Sequence, residues 1–156
     1  MFAPVSMVES NELESRALSI ANRIIYECAD HEAFDRYLVT WQGFQESESS
    51  TETFIDFINE EEETVLSIQF TQQTISLISG EGAAVPTYSY DGNLTHTLTV
   101  NLQSTRADIT IEESDGGGRE WPNIALINNL DKLDRVRFRA AEPSPYVMDR
   151  LAVNAR

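Results

Sequence analysis

The two histidines are the side chains of this 156-residue sequence best suited to acid–base or metal chemistry near neutral pH. His96 stands in Leu94-Thr95-His96-Thr97-Leu98. A His-x-Thr or His-x-Ser pair lets imidazole activate water or an alcohol while the hydroxyl holds a phosphate. Position 98 is a leucine, and His31 is followed by Glu32 and Ala33, so the pair is incomplete at both histidines. His31-Glu32-Ala33-Phe34-Asp35 begins like the H-E-x-x-H helix whose imidazoles, one turn apart, grip zinc. Asp35 occupies the place of the second imidazole, and no catalytic or metal site is expected from either histidine.

Other chemistry-bearing groups are also incomplete as motifs. Glu112, Glu113, Asp115 and Glu120 bracket three glycines, but lack the D-x-D-x-D-G spacing that arranges oxygens around calcium. Neither Gly80–Pro86 nor Asp115–Glu120 ends in the Gly-Lys-Ser/Thr of a phosphate-cradling loop. No cofactor is therefore expected. Trp41 and Trp121 could stack on sugars, although tryptophan in a small β domain more commonly fills the core. Arg135, Arg137 and Arg139 form a basic stripe that alternates with Val136 and Phe138. No aromatic residue is interleaved on its face for base stacking. These arginines and the run Glu60, Glu61, Glu62 and Glu63 are the candidate interaction residues.

The elements that must position these groups are mostly strands. Leu94 to Leu102 alternates apolar and polar residues after Asp91-Gly92, the signature of a hairpin entering a half-buried antiparallel strand. His96 falls on its inward face and reads as scaffold. Val39–Gln42, Phe54–Ile58, Val65–Phe70, Thr74–Ile78, Val85–Tyr90, Ala107–Ile111 and Val136–Phe138 continue the β text, with Val65–Phe70 and Thr74–Ile78 joined as a hairpin through Gln72-Gln73. The four glutamates repel one another and mark a loop tip. Upstream, Ser6 and Glu9 form a capping box, and Leu13, Ala17, Ile20, Ile24 and Cys28 recur at helical spacing. The expected fold is α+β, mainly β. A helix over about 7–29, with a second short helix over 31–38 or a bend, precedes an antiparallel sandwich or barrel-like sheet of roughly seven to eight strands.

The length suits one domain over 1–156, with a helical part to residue 38 and a β-rich part beyond it. A net charge of −15 repels phosphates and anionic membranes at long range, so neither nucleic acid nor membrane is an expected partner. The charge is polarised: 15 acidic and 3 basic residues precede Thr64, against 4 and 6 after Leu130. Such a chain can close its ion pairs within one fold or between copies in a head-to-tail ring. Cys28 is alone, which excludes an internal disulfide, and the first residues lack the pattern of a secretory signal. A cytoplasmic or virion setting is expected.

These features predict a non-enzymatic structural or interaction protein that self-assembles or docks to a protein partner. A phage tail or neck ring subunit is the concrete form of that reading. Two alternatives stand beside it. One is an acidic mimic of nucleic acid that inhibits a DNA-handling protein, and the other is a small carbohydrate-binding β-sandwich.

Overall fold

The computed structural model describes residues 18–19, 23–27, 34–45, 52–71, 73–79, 86–90, 94–140 and 146–155. Its strands in chain order are β1 Leu18–Ser19, β2 Arg23–Glu27, β3 Tyr37–Gln45, β4 Thr53–Asn59, β5 Thr64–Phe70 and β6 Thr74–Ile78. They are followed by β7 Thr87–Ser89, β8 His96–Leu102, β9 Arg106–Glu113, β10 Gly118–Ala125, β11 Leu133–Ala140 and β12 Tyr146–Ala155. Two antiparallel sheets result, ordered β1-β12-β3-β8-β9-β10 and β2-β11-β4-β5-β6-β7.

Alternation in the sequence decides which side of each sheet is dry. In β8, His96, Leu98, Val100 and Leu102 are buried while the residues between them are half-buried. Val39 and Trp41 on β3 and Ile109 and Ile111 on β9 extend that apolar face. The second sheet answers with Ile55 and Phe57, Leu66 and Ile68, Ile75 and Leu77, and Val136 and Phe138. Trp41 touches Phe57 and Phe70 across the gap, so the sheets close as a β-sandwich around one core.

The fold is all-β, which corrects the expected α+β class. Among the described residues there is no helix. Leu18–Ser19 and Arg23–Glu27, expected inside the long helix, pair with β12 and β11. The expected second helix over 31–38 instead runs through irregular residues 34–36 into β3 at Tyr37. Short apolar runs satisfy both periods: Ile24 belongs to the helical series, yet Ile24 and Tyr26 also alternate and stand in register with Phe138 and Val136. Pairing to a neighbouring strand, which local spacing does not encode, decides between them. The Ser6–Glu9 capping box lies outside the described residues.

Three irregularities shape the ends of the sandwich. Asn59 organises the β4–β5 turn: its Oδ1 accepts from the Glu61 and Glu63 amides, and its Nδ2 donates to the Asn129 carbonyl. Thr71 closes the β5–β6 turn, its amide bonded to the Thr74 carbonyl and its hydroxyl accepting from the Thr74 amide. On β10 the register with β9 shifts between Trp121 and Ile124, where Pro122 and the left-handed Asn123 (φ 61°) form a bulge held by Asp108 and Arg106.

Candidate functional site

Two polar constellations occupy opposite sides of the second sheet, one inside the sandwich and one on its outer face. The inner one surrounds His96, which is 1% exposed. Trp41 Nε1 donates to the Tyr146 hydroxyl at 3.0 Å, and that hydroxyl lies 2.8 Å from His96 Nε2. Indole N–H can only donate, so the hydroxyl accepts from Trp41, and the direction of its bond to His96 follows the imidazole tautomer. No well-formed hydrogen bond meets Nδ1, and the nearby Leu94 carbonyl only partly offsets burial. Phe70 and Tyr146 stack on the imidazole with centroids at 5.8 and 5.6 Å, and Tyr90 meets it edge-on at 5.4 Å. Burial lowers the His96 pKa to about 4, so the ring is neutral near pH 7. Burial also pushes the Tyr146 hydroxyl well above its usual range, and that of Tyr90 up to about 12. This cluster is closed to solvent and works as polar scaffolding.

The outer constellation centres on Asp56, a residue 1% exposed on the side of β4 that faces away from the core. Two guanidiniums from β11 close over it. Arg137 reaches Asp56 Oδ2 through Nε at 2.9 Å and Nη2 at 2.7 Å. Arg139 reaches the same oxygen through Nε at 2.7 Å and Oδ1 through Nη2 at 3.4 Å. The Ser67 hydroxyl donates to Oδ1 at 2.6 Å. Burial alone raises the carboxyl pKa, but the bonds from Arg139, Ser67 and Arg137 outweigh it and hold Asp56 below its ordinary value. Arg139 also lies over the Phe54 ring, 4.3 Å from its centroid, which fixes the guanidinium plane.

Strand register extends this network into a platform. One row runs Arg137, Asp56, Ser67 and Ile78 across β11, β4, β5 and β6. The next runs Arg139, Phe54, Gln69, Ser76 and Thr87, the last on β7. The Ser76 and Thr87 hydroxyls are 3.2 Å apart. Side chains at alternate positions of a sheet share one face, so an arginine pair, an aromatic ring and a strip of neutral hydrogen-bonding groups lie side by side.

The expected site residues are thereby distributed. Glu60, Glu61, Glu62 and Glu63 do form an exposed turn, and Glu62 Oε1 meets Arg135 Nη2 at 3.2 Å. Arg135 also pairs with Asp134, and Arg137 and Arg139 converge on Asp56, so the arginine stripe finds its counter-ions within this chain. Trp41 is fully buried and Trp121 is 5% exposed, so neither is an open sugar-stacking platform. The acidic group around the glycine turn is engaged otherwise: Glu113 accepts from the Tyr88 hydroxyl at 2.6 Å and Asp115 from the Gly117 amide. His31 lies outside the described residues.

Asp56 and Ser67 were not singled out from the sequence. The available signal was a lone carboxylate inside Phe54-Ile55-Asp56-Phe57-Ile58, a charge where a strand otherwise carries only apolar residues.

The sandwich has counterparts among solved structures. Its architecture is shared with galectins. A galectin of Caenorhabditis elegans, LEC-6, aligns over 93% of this chain and 95% of its own, with a TM-score of 0.57 and 10% identity. Sheep galectin-11, solved with glycerol, aligns over 90% and 98%, with a TM-score of 0.52 and 9% identity. A sialidase aligns over 95% of this chain with a TM-score of 0.66 and 13% identity, but this chain spans only 16% of its length. At these identities the likeness establishes the fold alone. No protein-family model and no curated protein matches the sequence.

Proposed function

We propose that this protein is a carbohydrate-binding β-sandwich whose ligand rests on the outer face of β11, β4, β5, β6 and β7. The observation that carries this reading is the platform itself. Arg137, Arg139, Gln69 and Thr87 present hydrogen-bonding groups from rigid strands, the two arginines held by Asp56 and Phe54 and Thr87 bonded to the buried Ser76. A sugar needs many weak hydrogen bonds in fixed directions, and groups pre-set on a sheet supply them without ordering entropy at binding. The galectin-like sandwich supports the reading because galectins are lectins by name, although the low identity transfers no residue role.

This replaces self-assembly as the main reading. The basic stripe that pointed to a neighbouring copy is paired at home with Glu62, Asp134 and Asp56, and nothing in the fold or its neighbours supports a virion component. A glycan array probed with the full chain tests the proposal. Binding to a defined group of glycans, reduced at least tenfold by Gln69→Ala with Thr87→Ala in a folded variant, is expected. An array at background, or binding indifferent to those substitutions, overturns it.

A further inference from the structure

We propose that the saccharide bound on this face is acidic, carrying a carboxylate or sulfate that sits against the outer edges of Arg137 and Arg139; this rests on the carbohydrate-binding reading. Proton and charge accounting at Asp56 leads there. Each guanidinium has five N–H donors and no acceptor. Asp56 engages two donors of Arg137 and two of Arg139, while its oxygens also take the Ser67 hydroxyl. Its two oxygens receive five contacts, and no lone pair is left for a ligand. Each arginine keeps three N–H groups outside this network.

The cluster therefore offers donors only, and one carboxylate opposes two guanidinium charges. A local charge of +1 stands on the surface of a chain whose net charge is −15. The arginine side chains are 25% and 42% exposed while Asp56 is 1% exposed, so solvent reaches the guanidinium side chains and not the carboxylate between them. Planar guanidinium edges match the two oxygens of a carboxylate or sulfate better than they match a hydroxyl, because both bonds are charge-assisted and parallel. Arg135, the remaining arginine of β11, is already matched with Glu62 and Asp134.

Neutral hydroxyls would still be served by Gln69 and Thr87 on the strands beyond. The arrangement thus divides one face into an anion end at β11 and a neutral end at β7. That polarity sets a direction for the sugar across the strands.

Calorimetric titration of the full chain at physiological salt tests this with four probes: an oligogalacturonate, a heparin-derived oligosaccharide, a neutral galactose oligosaccharide of equal length, and inorganic sulfate. At least tenfold tighter binding of an acidic oligosaccharide than of the neutral one is expected, with the difference between the first two identifying the acid. Arg139→Gln, which leaves the Arg137–Asp56 pair in place, should abolish that ratio while the circular dichroism spectrum stays that of the parent. Equal affinity for acidic and neutral oligosaccharides overturns the acidic class but leaves carbohydrate binding standing. Binding of sulfate or of no probe at all, without any oligosaccharide, overturns both.

Discussion

The Tyr146 hydroxyl lies 2.8 Å from His96 Nε2 although the strands that carry them, β12 and β8, are separated by β3. The tyrosine ring crosses β3 at Gly43, which stands in register with both Met148 and His96. A Cβ at Gly43 would overlap the Tyr146 hydroxyl and ring carbons. Glycine is required here by the space the ring fills.

Gly43→Ala should accordingly destabilise the protein by about 1–3 kcal/mol, the usual cost of overpacking a filled core. Urea unfolding of Gly43→Ala, Tyr146→Phe and the double variant measures this. The expected signature is non-additivity, because removing the hydroxyl relieves part of the clash and the double variant loses less than the two single losses together.

His96 gives stability a defined pH dependence. Its folded pKa is near 4 and its ordinary value 6.5, so between these limits the unfolded chain binds one more proton than the folded one. The contribution of neutral His96 is complete above about pH 6.5 and is lost as pH falls toward 4, at about 1.4 kcal/mol per pH unit. In His96→Leu, the stability-versus-pH curve from chemical denaturation should flatten by that slope.

Asp56 behaves oppositely and at lower pH. Held below 3.8, it contributes stability above that value and loses it as pH falls further. Replacing Arg137 and Arg139 together by Met leaves Ser67 alone against burial, so the carboxyl pKa rises above its ordinary value. Stability should drop by about 3–5 kcal/mol near neutral pH, the cost of stranding a buried charge. It should now fall as pH rises through the new pKa, the reverse of the parent, and thermal unfolding from pH 3 to 7 distinguishes the two slopes.

Asn59→Ala should cost about 1–3 kcal/mol, because the Glu61 and Glu63 amides lose their acceptor and the Asn129 carbonyl its donor. Hydrogen exchange should accelerate in the 59–63 turn while β8 keeps its protection.

The strands were legible where one face is dry and the other wet. Leu94 to Leu102 announced β8 to within two residues, and Val136 and Phe138 announced β11, because alternation is a local property. The sandwich was within the expected β architectures for the same reason. The N-terminal helix was misread at Ile24, where helical and strand spacing coincide and pairing with β11 decides. The platform was half legible: alternation exposed the arginine stripe, but its counter-ion lies 81 residues from Arg137. Only register brings Asp56 beneath it, and register is a long-range outcome of strand order.

The bulge on β10 has a consequence for how the molecule meets its own copies. Among the described residues β10 ends the first sheet, and a free edge is a template on which another chain can add a strand. Pro122 brings no N–H to that edge, and the left-handed Asn123 turns the backbone out of the ladder. β7, the corresponding end of the second sheet, is three residues long. Replacing Pro122 and Asn123 by Thr should therefore raise thioflavin-T fluorescence on prolonged incubation. In the parent sequence the same two residues interrupt the hydrogen-bonding row that an incoming strand would need.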